Sequence, residues 1–93
     1  MEIVTLSDLP QDKLQELIGK RVILGGKGIL DGLKHKSRAS SDRVLGLTIH
    51  PYYGKCIRMI SYGKKTTVLL PECNWDQQAA ILTEKEYKEL PKW

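Results

Sequence analysis

Residues 44–70 read VLGLTIHPYYGKCIRMISYGKKTTVLL. Apolar and polar residues alternate through much of this stretch, and a period of two is typical of β-strands. Turns interrupt it at 50–54 and 63–65, and each turn contains a glycine. We therefore predict three successive antiparallel strands, at 44–49, 55–62 and 66–70, with Gly46 as a candidate β-bulge.

The flanking segments add shorter elements. Arg21 to Leu24 and Gln77 to Leu82 are each typical of a strand, whereas Pro71 cannot continue a central strand. Leu14, Leu17 and Ile18 share one face of a helix predicted over 9–18, which Gly19 ends. Thr83 and Glu86 have the spacing of a capping box, so a second short helix is predicted there, ending before Pro91.

About five short strands at spacings of 8–12 residues indicate a mainly β fold. Because a barrel removes the exposed edges of an open sheet, we predict a small five-stranded antiparallel barrel with short N- and C-terminal helices. Ninety-three residues supply one hydrophobic core, so residues 1–93 are expected to form a single domain.

A family resemblance agrees with this prediction. Part of the sequence resembles the SH3-like small β-barrels, and within them subunit S of the photosynthetic NADH-dehydrogenase-like complex. The segments that carry this resemblance, in chain order, are 53–56, 63–70 and Asn74-Trp75-Asp76. The similarity covers roughly residues 53–90. It departs at Glu72-Cys73, where that family has glycines. The resemblance implies an SH3-like barrel that docks a protein partner, with ferredoxin docking as that family's role.

Composition limits the classes of protein to consider. Apolar residues make up 41% of the chain and charged residues 28%, as in ordinary globular proteins. The start lacks the pattern of a signal peptide, and no apolar run reaches the roughly 18 residues of a membrane span. Two cysteines are too few for a disulfide framework. We therefore expect a cytoplasmic protein without membrane insertion.

Basic residues are concentrated in the middle of the chain. Residues 20–65 carry eleven basic and two acidic side chains, a formal charge of +9, between two mildly acidic ends. Such a segment favours anionic partners. Residues 25–43 contain a polar, basic run without hydrophobic periodicity, which predicts a mobile surface loop with fast amide exchange.

These patterns favour a non-catalytic binding module for an anionic partner, most directly nucleic acid, through residues 27–65. Lysine and arginine would contact phosphates, and tyrosines among them would stack on bases. The predicted contact residues are Lys27, Lys34, Lys36, Arg38, Arg43, Tyr52, Tyr53, Lys55, Arg58, Lys64 and Lys65.

Two alternatives remain open at this point. The first is a protein-docking module, acting as an accessory subunit or small inhibitor of a larger assembly. Such a module would recognise an acidic surface of its protein partner. The second is a binder of a small anionic nucleotide that uses Gly25-Gly26-Lys27-Gly28. The spacing of Cys56, Cys73, His35 and His50 is not that of a zinc site, and no catalytic motif is present, so we predict no metal, no cofactor and no enzymatic activity.

Overall fold

The computed structural model describes residues 1–25 and 37–92. Its centre is one antiparallel sheet in the order β1-β6-β2-β3-β4-β5. Within these residues, two short helices, α1 and α2, and three single-turn 3-10 helices accompany the sheet. The strands are β1 (Glu2–Thr5), β2 (Arg21–Leu24), β3 (Ser41–His50), β4 (Gly54–Ser61), β5 (Thr67–Pro71) and β6 (Gln78–Leu82); the helices are α1 (Gln11–Glu16) and α2 (Glu84–Glu89).

The mainly β class is confirmed, but the prediction of a five-stranded barrel is wrong. The described sheet has six strands and is not closed, because β1 and β5 lie at its two ends. The additional strand is β1, whose Glu2 lies opposite Ile81 of β6. This pairing joins residues almost eighty positions apart, so the local sequence pattern does not reveal it.

The β3-β4-β5 meander agrees with the alternation in the sequence. β3 pairs with β4, and β4 pairs with β5. The β3–β4 register shifts between Val44 and Gly46, which confirms the bulge. As an edge strand, β5 can end at Pro71, because a proline there removes no hydrogen bond that a further strand would need.

One face of the sheet, the inner face, carries most of the core. Val22, Val44, Ile57 and Met59 project from this face and are 1–3% exposed. Leu6, the α1 residue Leu14 and Trp75 cover them in one cluster of buried side chains. α1 has only six residues, so this burial rather than intrinsic helix propensity must stabilise it.

The opposite, outer face is covered by α2 along β1, β6 and β2. Ile23, Ala80, Leu82 and Tyr87 form a second buried cluster there. Thr83 accepts a hydrogen bond from the Glu86 amide, and the Glu86 side chain accepts one from the Thr83 amide, which confirms the capping box. The fold therefore has three layers, with α1 and Trp75 on one face of the sheet and α2 on the other.

Two predicted boundaries need correction. The first helix is shorter than 9–18, because Leu9 precedes a proline and takes an extended conformation. Gly19 follows the helix in the left-handed region at φ +86°, as the prediction of a glycine stop requires. Within the predicted loop 25–43, residues 38–40 form a 3-10 helix and residues 41–43 already belong to β3. Residues 26–36 of that loop lie outside the described residues.

Within the described ranges, no helix has the length and apolar character needed to cross a membrane.

Candidate functional site

Three arginines lie on the outer face, on three neighbouring strands. Arg21 of β2 is directly opposite Arg43 of β3. Arg43 is in turn opposite Ile60 of β4, and Arg58 lies two residues before Ile60 on the same face. Side chains related in this diagonal way lie about 7–8 Å apart at their Cα atoms. The pairing therefore brings three cationic groups to one side of the sheet.

Arg21, the arginine of this group that lies next to α2, is held in place by that helix. The Arg21 guanidinium carbon lies 4.2 Å from the centre of the Tyr87 ring, within the range of a cation–π contact. Arg21 is half-buried, and its Nε atom is buried without a hydrogen-bond partner. Arg43 and Arg58 are exposed instead. Only these two are therefore free to present their guanidinium groups to a partner from this face.

Acidic residues of the described chain do not neutralise these arginines through ion pairs. In residues 1–25 and 37–92, ion pairs join the N-terminal ammonium to Glu86 and Lys13 to Glu16. Asp42, the carboxylate next to Arg43 in sequence, accepts a hydrogen bond from the Ser61 hydroxyl at 2.7 Å. The positive charge of Arg43 and Arg58 is thus available to an anion from outside.

Two lysines lie beyond the end of β4 that is nearer to Arg43. Lys64 and Lys65 belong to the turn between β4 and β5, and both are exposed. The Lys64 amide donates to the carbonyl of Ser61, whose Cα partner is Asp42, so this turn adjoins the start of β3. We use the name basic track for Arg43, Arg58, Lys64 and Lys65.

The β3–β4 hairpin tip presents two tyrosines at the other end of these strands. The His50 Nδ1 atom accepts hydrogen bonds from the Tyr52 and Tyr53 amides at 3.0 and 3.2 Å. The Tyr52 and Tyr53 ring centres are 5.3 Å apart, and the side chains are 85% and 57% exposed. Gly54 completes the turn at φ +74°. The hydrogen bonds to His50 thus fix the turn, and the two tyrosine rings are exposed to solvent.

The length of β4 sets the distance between the tyrosines of the tip and the lysines of the basic track. β4 has eight residues, which span about 25 Å at ~3.3 Å per residue. Arg58 lies near the middle of this length, with the tyrosines at one end and the lysines at the other. The arrangement is an extended line of charge that ends in exposed aromatic rings, rather than an enclosed pocket.

Two of the predicted contact residues lie elsewhere. Arg38 donates from Nε to the Tyr87 carbonyl at 3.2 Å and from Nη2 to the Lys88 carbonyl at 2.6 Å. It therefore binds the last turn of α2. Lys55 is opposite Ile49 on the inner face, away from Arg58. The other predicted contact residues without a described position are Lys27, Lys34 and Lys36, which lie outside the described residues.

Beside Lys55 the inner face opens into an apolar groove between α1 and the hairpin. Leu14, Leu47 and Trp75 line a cavity of about 210 Å³, and Lys55 and Ile49 also border it. A neighbouring cavity of about 340 Å³ shares Leu14, Lys55 and Trp75. The Trp75 Nε1 atom donates to the Leu70 carbonyl at 2.9 Å, which fixes the indole ring under the groove.

Other chemical groups do not converge in the part of the chain that is described. There, no three His, Cys, Asp or Glu side chains lie together as a metal site requires. Cys56 is buried and Cys73 is exposed, and neither is in a disulfide. Gly25 is the first residue of the glycine-rich segment that one alternative assigns to nucleotide binding. Its amide donates to the Gln78 carbonyl at 3.2 Å and so extends the sheet.

Sequence reasoning missed Arg21 and the apolar groove. Arg21 begins a strand whose next residues are buried, and an arginine two positions before the buried Ile23 was a signal that it shares the covered face. The groove gave no comparable signal, because Leu14, Leu47 and Trp75 come from three separated segments.

No protein-family model, curated protein or solved structure matches this chain, so its own residues must carry the functional argument.

Proposed function

We propose that this protein is a non-catalytic binding module for nucleic acid that uses the basic track of its outer face. The supporting observation is the pair Arg43 and Arg58, which are exposed on adjacent strands without an ionic partner among the described residues. Arginine suits this role, because its planar guanidinium donates two parallel hydrogen bonds to a phosphate.

The hairpin tip supplies a second kind of contact. Exposed tyrosine rings stack on unpaired bases, and each such contact contributes about 1–3 kcal/mol to binding. Tyr52 and Tyr53 lie at the end of the same strands that carry the two arginines. Stacking requires bases that are not paired, so the proposal favours single-stranded over duplex nucleic acid.

A fluorescence titration with short mixed-sequence single-stranded RNA and DNA tests the proposal at about 50 and 200 mM salt. We expect salt-sensitive binding that the double variant Arg43→Ala/Arg58→Ala weakens, with a slope of log affinity against log salt reduced by about one to two. The control Lys13→Ala/Lys85→Ala removes two charges from the helices and should retain most of the affinity. Absence of binding at low salt, or equal loss in both variants, would contradict the proposal.

A second candidate is a protein-docking module, which the apolar groove favours. Ile49 is 78% exposed beside this groove and adjoins the exposed tyrosines of the tip. Lys55 on the groove wall suits a partner with an apolar anchor next to a carboxylate. Pull-down from a nuclease-treated lysate, with Ile49→Ser beside the wild type, separates the candidates. A stoichiometric complex that survives nuclease and is lost in Ile49→Ser would favour docking.

A further inference from the structure

β5 is a sheet edge with apolar side chains at its middle. It pairs with β4 on one side, and no described strand pairs with its other side. Val68 is 48% exposed and Leu69 is 38% exposed. An edge of this kind presents unpaired backbone N–H and C=O groups, which another strand can bind by extending the sheet.

Charges of opposite sign lie at the two ends of this strand. Lys64 and Lys65 come before β5, and Glu72 follows it directly. Lysines protect many sheet edges when they lie within the strand. Here the strand itself, Thr67–Pro71, has no charged residue, so repulsion does not act at its centre.

We propose that a second copy of this chain pairs with β5, strand against strand and antiparallel. Antiparallel pairing brings the start of one β5 next to the end of the other, so the lysines of each copy meet Glu72 of its partner, twice in one interface. Parallel pairing would place like charges side by side. The charge pattern of this edge therefore suits a second copy in one orientation only.

The position of Pro71 selects the register. An antiparallel pair of identical strands has its two-fold axis perpendicular to the sheet, so each residue faces one on the same side of the sheet. Pairing centred on Val68 places Thr67 opposite Leu69. A paired segment of five residues then covers 66–70, so Pro71, the last residue of β5, which lacks an N–H, lies just beyond it. In this register Lys64 and Lys65, which precede the strand, come near Glu72, the first residue after it, of the other copy.

The same axis has a consequence for the outer face. Because it is perpendicular to the sheet, both outer faces lie on one side of the dimer. The two β4 strands are then three strand spacings apart, about 14 Å. Arg43 and Arg58 of both copies would form one larger basic surface, although the dimer itself does not depend on nucleic-acid binding.

Sedimentation equilibrium from about 5 to 500 μM at physiological salt, without nucleic acid, tests the interface. We expect a concentration-dependent dimer in the wild type. Lys64→Glu and Glu72→Lys should each weaken dimerisation at least tenfold, because like charges then meet across the interface, and the double exchange Lys64→Glu/Glu72→Lys should restore most of it. A wild type that is monomeric throughout, or a double exchange no better than the single variants, would overturn the proposal.

A central variant tests the strand pairing itself. Val68→Lys places two like charges opposite each other at the axis and should give a monomer, whereas Val68→Thr keeps the β-branched shape and should dimerise. Val68 is half exposed, so both variants should fold, which circular dichroism would verify. Dimerisation of Val68→Lys equal to wild type would exclude β5 as the interface. Because sedimentation is measured without nucleic acid and the Val68 variants leave the whole basic track unchanged, failure here is distinguishable from failure of nucleic-acid binding.

Discussion

The Arg21 guanidinium carbon lies 4.2 Å from the centre of the Tyr87 ring. Tyr87 is 9% exposed on α2, and Arg38 approaches the same ring at 5.3 Å. Two cations on one aromatic ring link β2, the 3-10 helix before β3 and the C-terminal helix. This contact fixes α2 over one part of the outer face and leaves the part that carries Arg43 and Arg58 exposed.

Replacing Tyr87 with alanine should destabilise the fold strongly. Truncating a buried aromatic ring costs about 3–5 kcal/mol in unfolding free energy, and here the two cation–π contacts are lost as well. Tyr87→Phe keeps the ring and should cost less than about 1.5 kcal/mol. Urea denaturation followed by circular dichroism measures both. If Tyr87→Ala were as stable as Tyr87→Phe, α2 would not depend on this ring.

Arg38 should contribute to stability rather than to binding. Its Nε and Nη2 donate to carbonyls at the end of α2, and hydrogen bonds of a charged group contribute about 1.5–3 kcal/mol. Arg38→Ala should therefore lower the unfolding free energy by roughly that amount. Arg58→Ala, on an exposed strand position, should change it by less than about 0.5 kcal/mol.

The same two variants should differ in the opposite sense when they are titrated with single-stranded RNA. Arg58→Ala should weaken binding, whereas Arg38→Ala should retain affinity under conditions where it is folded. Equal loss of affinity in both would place Arg38 in the binding surface after all.

Elements governed by neighbouring residues are the part of this fold that the sequence predicts well. The β3–β4 hairpin, the bulge at Gly46 and the Thr83–Glu86 capping box each depend on residues close together in the chain. The structure confirms all three. The side-chain period of two and the N-cap hydrogen bonds are local physics, so a single sequence contains them.

Long-range pairing accounts for what the sequence did not predict. β1 binds β6 through a ladder from Glu2 to Thr5, and nothing near those four residues specifies β6 as the partner. Whether a sheet closes likewise depends on contacts between its two ends. The position of Arg38 also belongs to this class, because its carbonyl acceptors lie about fifty residues away. In the sequence it is one more basic residue near a loop. Only the packing of α2 shows that its guanidinium binds the end of that helix.

Removing the N-cap of α2 should weaken the fold moderately. Thr83→Ala deletes the hydroxyl that accepts the Glu86 amide at 3.1 Å, and losing such a cap costs about 1 kcal/mol. Thr83→Ser keeps the hydroxyl and should restore most of the stability. Thermal unfolding by calorimetry compares the three proteins. Equal midpoints for the alanine and serine variants would mean that the helix start is fixed by packing alone.

The Glu86 carboxylate should make stability depend on pH below neutrality. Its Oε2 atom lies 2.8 Å from the N-terminal ammonium, and that contact, together with the hydrogen bond from the Thr83 amide, lowers the pKa of Glu86 below its ordinary value. A carboxyl whose pKa is lower in the folded state stabilises the fold above its ordinary pKa, about 4.3, and this stabilisation is lost as the pH falls through the lowered value.

Glu86→Gln isolates this charge, because the amide oxygen can still accept the hydrogen bond from Thr83. The wild type should be more stable than Glu86→Gln at pH 7, and the difference should shrink as the pH falls below about 4. Urea unfolding between pH 2.5 and 7 measures it, with Glu84→Gln as a control that removes a charge from the same helical turn. A difference between wild type and Glu86→Gln that stayed constant over this range would show that the Glu86 side chain acts through its shape and not through its charge.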